Sequence, residues 1–324
     1  MAEVDPLQKL LTELQHDRNP RLLRHIEDAR ALTDLAERDV PTSPVVVCVH
    51  HELVESQMWL DDLGHGGKAI EMAQRFLPDP ALPDGCRVCL LKSQSEAALA
   101  KGDPREADAL LRAAISVCRK MKSKFRAIRD EAYCLWRVSL VSLIRFGDAR
   151  ALEDIDAHDL QQRRVINYVD QLILERPEWA DDPGLAHVVV NANESLREID
   201  IIRQCAQGRH AEALASIRRY LDELGDGGSG MAMVIHTFAR HLGNAQDWDT
   251  LLDASPLLVD ELKRRQRQRW LASLLIDTCR AHMAAGDRRA ARVALFQIDE
   301  IRGDLVHDDL AGPVGALEGE LSLL

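Results

Sequence analysis

The sequence predicts an all-α protein built from antiparallel helix hairpins. Aromatic residues make up only 4% of the 324 residues, and strands are normally enriched in aromatic and β-branched side chains. The stretch 97–121, AALAKGDPREADALLRAAISVCRKM, supplies the second observation. One helix ends at Gly102, Asp103 caps the next helix with Pro104 at its first position, and Glu106 stands where a capping box has its acid.

The second helix of this stretch carries an apolar stripe that recurs elsewhere in the chain. Apolar residues stand five, nine and twelve positions after Gly102, and the same spacing is found after Gly208 and Gly286. This spacing of three and four residues defines one face of a helix. The residues are Ala107, Leu111 and Ala114; Ala213, Ile217 and Tyr220; and Ala291, Leu295 and Ile298. The hairpin is therefore predicted to be a repeat.

Six glycines divide the chain into hairpins, and we call them the anchor glycines. They are Gly64, Gly102, Gly147, Gly208, Gly243 and Gly286, at intervals of 38, 45, 61, 35 and 43 residues. We expect one domain over 1–324, with a helical cap at 1–44, six to seven hairpins over 45–303 and a capping helix over 304–324. The register is least regular between 148 and 207, where the interval leaves room for an extra helix. After Gly243, Trp248 stands where a small residue is expected.

Composition and charge narrow the class of protein. The net charge of −12 argues against a general nucleic-acid coat, since such binding depends on basic residues near phosphates. Seven cysteines, an odd number without a signal-peptide-like start, favour reduced thiols in the cytoplasm. No apolar run approaches the ~20 residues that a membrane-spanning helix needs. We expect no membrane association, and the sequence leaves the oligomeric state open.

Three short motifs suggest ligands but lack the residues to complete them. His51 and Glu55 have the i, i+4 spacing of two metal ligands on one helix face, with no third ligand nearby. Cys86 and Cys89 have zinc-knuckle spacing without a second pair, so we interpret them as structural thiols. The stretch 225–230, GDGGSG, lacks the Lys-Ser/Thr of a phosphate loop and is predicted to be a turn. No metal and no cofactor are expected.

An enzyme is the less favoured class. Asp61-Asp62 and Asp181-Asp182 resemble halves of a magnesium-diphosphate site, but the aromatic lining that such a cation-stabilising pocket needs is missing. No Ser-His-Asp or Cys-His arrangement can be identified from spacing.

Two basic runs oppose the net charge, one over 119–129 and one over 263–269. Clusters of this kind can bind phosphates or an acidic partner. The alternative interpretation, which we favour, is a solvated helix face balanced by acids on neighbouring helices.

The anchor glycines and the stripe that follows them resemble the tetratricopeptide repeat. In that family a Gly closes the first helix, and an Ala five positions later lets the second helix pack closely. The chain departs from the pattern because its intervals exceed the family's 34 residues. It also has no consistent small residue seven positions before the Gly, where it carries Gln57, Ser95, Leu140, Ile201, His236 and Cys279. It resembles divergent, longer bacterial repeats, and the resemblance implies a right-handed superhelical α-solenoid with a concave binding groove.

The resemblance also implies which side chains face the groove. Carrying the family's groove positions onto each first helix gives Lys92, Glu96, Arg137, Glu198, Ile202, Met233, Arg240, Ile276, Arg280 and Met283, with Asn191 and Asn193 within one turn upstream. We expect Lys92, Arg137, Arg240 and Arg280 to hold a protein or peptide segment. The paired Asn and Lys of the chaperone-tail carboxylate clamp are absent, so that ligand is not expected.

The sequence therefore predicts a non-enzymatic adaptor or scaffold that binds protein. Two alternatives stay open: a regulator that contacts nucleic acid through the two basic runs, and an enzyme hidden in a helical fold.

Overall fold

A computed structural model describes residues 22–59, 66–146, 149–224, 231–265, 267–302 and 310–323. Over these residues the chain is all-α, with fourteen helices, one 3₁₀ turn and no strand. The chain divides into two compact units between Cys134 and Leu135. The predicted fold class is confirmed to that extent.

The first unit contains five helices and the start of a sixth. They are α1 (Leu22–Asp39), α2 (Val45–Trp59), α3 (Gly66–Phe76), α4 (Asp84–Ala100), α5 (Pro104–Cys118) and α6 (Lys124–Phe146), the last of which crosses the division. Consecutive helices from α1 to α5 pack against each other, and α2 also contacts α4. Valines of α2 and apolar residues of α1, α3 and α4 form the core of this unit.

The second unit continues the pattern with eight helices. They are α7 (Ala149–Glu175), α8 (Pro183–Ala206), α9 (His210–Leu224), α10 (Met231–Ala245), α11 (Trp248–Arg264), α12 (Gln268–Ala284), α13 (Arg288–Arg302) and α14 (Ala311–Leu323). Hairpin partners α8 and α9, α10 and α11, and α12 and α13 pack together. Helices two apart also touch, namely α8 with α10, α10 with α12, and α9 with α11.

Four hairpins turn on the same backbone geometry. The turn residue has a positive φ, 75° at Gly102, 72° at Gly208, 55° at Gln246 and 75° at Gly286. The next residue donates its backbone N–H to the carbonyl five positions earlier, the 6→1 bond of a Schellman motif. These bonds run from Asp103, Arg209, Asp247 and Asp287 to Ala98, Gln204, Leu242 and His282 at 2.9–3.0 Å.

The start of α5 confirms the predicted cap and corrects the predicted capping box. The Asp103 carboxylate accepts the backbone N–H groups of Arg105 and Glu106 at 3.1 and 3.0 Å, and Pro104 is the first helical residue. A capping box would need the Glu106 side chain to accept the Asp103 N–H. That N–H instead donates to the Ala98 carbonyl, so the box is wrong.

The small residue five positions after the turn is buried as predicted. Ala107, Ala213 and Ala291 have no exposed surface. A methyl group at this position leaves room for the neighbouring helix to approach closely.

Gly243 is not a turn residue, and the predicted register of its hairpin is wrong by three positions. Gly243 lies inside α10, and the left-handed residue is Gln246. A Cβ on Gly243 would lie 2.9 Å from the Asp277 Cγ, so this glycine provides space for a side chain. Counting from Gln246 places Leu251, which is fully buried, at the fifth position, while Trp248 merely begins α11.

Within the long interval between Gly147 and Gly208, the described residues 149–207 hold no extra α-helix. The interval is filled by the length of α7 and α8, which have 27 and 24 residues, with a 3₁₀ turn at Pro177–Trp179 between them. Asp182, which belongs to the Asp181-Asp182 pair named above as half of a possible magnesium site, caps α8 by accepting the Leu185 N–H at 2.9 Å. The predictions at Gly64, Gly147, Asp61-Asp62 and 225–230 lie outside the described residues.

The corrected register can be tested at Gln246. A left-handed conformation costs a side-chain-bearing residue ~1 to 2 kcal/mol, partly offset by the greater chain entropy of an unfolded glycine. We expect Gln246→Gly to raise the free energy of unfolding by about 0.5 to 1 kcal/mol, measured by urea denaturation. The control Gly243→Ala should lower it, because the new Cβ meets Asp277. The corrected register would be contradicted if Gln246→Gly lowered the free energy of unfolding while Gly243→Ala left it unchanged.

Candidate functional site

In the first unit, the two predicted groove residues lie on α4 and are only partly accessible. Lys92 is nearly buried, and its ammonium stands 3.8 Å from the centroid of the Tyr133 ring. This distance allows a cation–π interaction. Glu96 is half-buried on the same helix.

In the second unit, several predicted groove side chains are buried. Ile202, Met233 and Ile276 are almost fully enclosed. Arg137 is also buried, donates to the Met233 sulfur and stands 5.6 Å from the centroid of the Trp136 ring. These four side chains pack between helices and do not present an open surface in this structure.

Glu198, another predicted groove residue, is a buried hydrogen-bond acceptor. It is 3% exposed and accepts the indole N–H of Trp136 at 3.0 Å. Burial raises the pKa of Glu198 to about 8, and the charge of Glu194 acts in the same direction, while the Trp136 hydrogen bond and Arg265 oppose the rise. The carboxyl therefore keeps its proton near neutral pH.

Three predicted residues remain accessible without forming a cluster. Asn191 and Asn193 are exposed on α8, and the Asn191 amide nitrogen lies 3.1 Å from a ring nitrogen of His187. Met283 is half-buried near the end of α12.

Two of the predicted arginines come together on one buried carboxylate. Arg240 of α10 and Arg280 of α12 donate to the two oxygens of Asp277, at 2.6 and 3.1 Å. Asp277 is 3% exposed, whereas the arginine side chains are 30% and 39% exposed. We call Arg240 and Arg280 the arginine pair.

The corrected register explains why the arginine pair meets. Arg240 stands six positions before Gln246, and Arg280 stands six positions before Gly286. They therefore occupy equivalent places on first helices that contact each other. The missing Cβ of Gly243 makes room for Asp277 between them.

The arginine pair carries more positive charge than its carboxylate neutralises. Burial raises the pKa of Asp277, while the charges and hydrogen bonds of Arg240 and Arg280 oppose that rise. Within the described part of the chain, each guanidinium donates one hydrogen bond to Asp277. A guanidinium has five N–H donors, so most donors of the pair remain available to a ligand.

A histidine and a tryptophan lie in the same region. The His236 ring stacks on the Trp270 ring with centroids 5.3 Å apart and planes 16° apart. Burial, together with the smaller effects of the charges of Arg240, Arg269 and Arg137, lowers the pKa of His236 to about 3. The ring is therefore neutral at neutral pH, and the nearby arginine charges act in the same direction as burial.

Sequence reasoning missed Asp277, His236 and Trp270. The corrected register places His236 at the groove position that had been assigned to Met233. Asp277 directly follows the mapped Ile276, and neither it nor Trp270 falls at a position that the repeat pattern singles out.

The arginines of the two basic runs largely have acidic partners. In the run 263–269, Arg264 and Arg265 both bind Glu261, and Arg267 is buried with its guanidinium 5.6 Å from the Trp270 ring centroid. In the run 119–129, Arg119 pairs with Glu131, while Arg126 and Arg129 pair with Asp130. Acids therefore balance much of both runs, but of these pairs only Arg119–Glu131 joins neighbouring helices, and the other pairs form within or next to a single helix.

The possible metal motif at His51 and Glu55 is not part of a set of metal ligands within the described residues. No group of three His, Cys, Asp or Glu side chains there could hold a metal ion. A ring nitrogen of His51 lies 2.8 Å from the Ser93 hydroxyl, and all seven cysteines are free.

None of the described helices is long and apolar enough to cross a membrane.

Comparison with known proteins does not assign the chain to a family. No protein-family model matches it, and no curated protein does. Among solved structures, BtubC (BKLC) from P. vanneervenii matches at 15% identity with a TM-score of 0.32, over 93% of this chain and 92% of that one. A TM-score this low supports no inference about fold or function.

Glu198 makes the stability of the protein depend on pH. Between about pH 4.3, where an unfolded glutamate loses its proton, and about 8, only the unfolded chain releases this proton. The free energy of unfolding therefore falls as pH rises, by at most ~1.4 kcal/mol per pH unit.

We expect Glu198→Gln to remove this dependence. The variant should match the natural protein near about pH 4 and exceed its unfolding free energy by on the order of a few kcal/mol at about pH 8. Urea denaturation across this range measures the difference, with exposed Glu153→Gln as the control. Parallel stability curves for Glu198→Gln and the natural protein would show that the carboxyl is already ionised at neutral pH.

Proposed function

We propose that this chain is a non-enzymatic cytoplasmic adaptor that binds extended acidic peptide segments of partner proteins. In this proposal the hairpins form a right-handed α-solenoid of tetratricopeptide type, and the arginine pair is the anchor for a carboxylate of the ligand.

Support for the repeat architecture comes from the turns and the helix contacts. Four hairpins share a left-handed turn residue and the same 6→1 hydrogen bond. First helices of successive hairpins contact each other in the second unit, as α8 and α10 do, and α10 and α12. Contacts with neighbours one and two elements away are typical of solenoid repeats.

The observation that carries the ligand proposal is the arginine pair on Asp277. A guanidinium matches the planar geometry of a carboxylate and can donate two parallel hydrogen bonds to it. Because the buried carboxylate already restrains both guanidiniums, less side-chain entropy is lost when a ligand binds. The excess positive charge of the pair favours an anionic group.

The ligand class follows from the setting of this pair. The protein is acidic overall, with a net charge of −12, and the arginines of its basic runs are largely engaged with Glu261, Asp130 and Glu131. A local anchor for one acidic side chain or a peptide carboxy terminus suits this distribution better than a long phosphate backbone does.

The proposal predicts that single changes in the pair weaken peptide binding. Loss of a hydrogen bond to a charged group costs ~1.5 to 3 kcal/mol, so Arg240→Gln or Arg280→Gln should lower affinity roughly tenfold or more. The ligand is first obtained by affinity capture from the source cells and narrowed to a synthetic segment. Fluorescence anisotropy then compares this segment with a copy in which its Glu and Asp residues are amidated.

Controls separate this proposal from general charge effects. Exposed Arg292→Gln on α13 changes the net charge equally and should leave affinity intact. Equal binding of the acidic and amidated segments would contradict a carboxylate anchor. Capture of a nucleic acid, with affinity that falls steeply as salt rises, would favour the alternative function.

A further inference from the structure

Two thiols from different helices face each other in the first unit. The sulfur atoms of Cys48 on α2 and Cys86 on α4 are 3.6 Å apart, although 38 positions separate these residues in the chain. Cys48 is half-buried and Cys86 is buried. Only a small movement of the two side chains would bring the sulfurs within bonding distance.

Several features around Cys86 favour its thiolate form, although its thiol also donates a hydrogen bond to the Pro44 carbonyl at 3.7 Å. Cys86 is the third residue of α4, where the partial positive charge of a helix N-terminus acts. The Arg126 guanidinium lies against neighbouring Gly85, so closely that a Cβ there would collide with it. The pKa of Cys86 is lowered, chiefly by a hydrogen bond from Cys48 and also by Arg126, against the opposing effects of burial and Cys89.

Cys48 has the complementary character. Its pKa is raised, chiefly by its hydrogen bond with Cys86 and by burial. The pair therefore combines a thiolate-forming Cys86 with a Cys48 that remains protonated and partly accessible. This division of roles is typical of a nucleophilic cysteine beside a resolving cysteine.

A second thiol pair provides a comparison within the same unit. Cys118 and Cys134 are hydrogen-bonded, but neither has any exposed surface. The pKa of Cys134 is raised well above its ordinary value by the hydrogen bond with Cys118 and by burial. This pair has no exposed surface, whereas Cys86 is 5% exposed beside the half-buried Cys48, so Cys118 and Cys134 should react with peroxide much more slowly.

Metal binding is the other chemistry that two neighbouring sulfurs suggest. Two thiolates on a tetrahedral zinc ion lie roughly 3.8 Å apart, given Zn–S distances of about 2.3 Å. A structural zinc site needs four ligands, and the described residues supply no group of three. A dithiol without a metal fits the geometry better.

We propose that Cys86 and Cys48 form a peroxide-reactive dithiol, with Cys86 as the nucleophile and Cys48 as the resolving thiol. The Cys86 thiolate attacks an oxygen of a hydroperoxide, the O–O bond breaks, and the leaving alkoxide or hydroxide takes a proton. The Cys48 sulfur then attacks the Cys86 sulfenic acid, its proton leaves with the hydroxyl as water, and a disulfide forms. Two thiols are oxidised while one peroxide is reduced to an alcohol, or to water, plus the water lost at the second step.

The test is the mapping of thiols after treatment of the full chain with hydrogen peroxide. We expect a peptide pair linked through Cys48 and Cys86, with a mass lower by two hydrogens than the sum of the two thiol peptides. Four other cysteines should stay reduced and be alkylated after denaturation, namely Cys118, Cys134, Cys205 and Cys279. In Cys48→Ser, the sulfenic acid on Cys86 should persist and be trapped by dimedone. In Cys86→Ser, neither product should form at Cys48.

Arg126→Gln tests the electrostatic part of the proposal. Reactivity follows both the thiolate fraction and the nucleophilicity of the thiolate, so the oxidation rate should fall about threefold for each unit by which the Cys86 pKa rises. Exposed Arg105→Gln is the matched control and should react at the original rate. Circular dichroism confirms that each variant is folded before it is compared.

Several outcomes would overturn the proposal. These are oxidation of Cys118 and Cys134 as fast as Cys48 and Cys86, dimedone capture on Cys48 in place of Cys86, and an unchanged rate in Arg126→Gln. If the protein binds one equivalent of zinc and the bound zinc protects both thiols from peroxide, Cys48 and Cys86 form a metal site and not a redox site.

Discussion

A left-handed turn residue closes four of the described hairpins and sets the register of the helices on either side of it. A single residue with positive φ lets the following N–H reach back to the carbonyl five positions earlier. That bond satisfies a carbonyl that the end of the helix would otherwise leave without a partner. It also fixes where the second helix begins, and so places a buried residue such as Ala107, Ala213 or Leu251 against the first helix.

The arginine pair follows from the same constraint. Because the turns fix the register, Arg240 and Arg280 take equivalent places on α10 and α12, which contact each other. Asp277 can then bind both guanidiniums from a nearly buried position, in space that the absent side chain of Gly243 leaves open. The candidate site is thus a product of repetition plus one local departure from it.

The sequence predicted the all-α class and three of the hairpin turns, because the turn has a sequence signal wherever glycine provides it. Gly102, Gly208 and Gly286 were found in this way, and each has the expected positive φ. Gln246 carried no such signal, since a glutamine in a left-handed turn looks like any helix-flanking residue. Gly243 was mistaken for the turn because a glycine required for close packing cannot be told from one required for its backbone.

The site was less predictable than the fold. Arg240 was predicted as a groove residue, but from a register three positions away from the correct one. Asp277 was not predicted, because no local sequence pattern distinguishes it from the other acidic residues among the 53 in the chain. Burial also could not be derived from repeat positions. Arg137 and Glu198 occupy mapped groove positions but are enclosed, because hydrogen-bonding partners such as Trp136 allow polar side chains to be buried there.

Asp277→Asn shows whether buried Asp277 organises the arginine pair for a carboxylate ligand. This change removes one negative charge, so the site becomes more positive while the guanidiniums lose their shared carboxylate, and organisation and net charge predict opposite effects on binding. With circular dichroism showing an intact fold, anisotropy titration of the captured acidic segment should give weaker binding than the natural protein gives. Unchanged or tighter binding would show that charge alone attracts the ligand and would contradict the account.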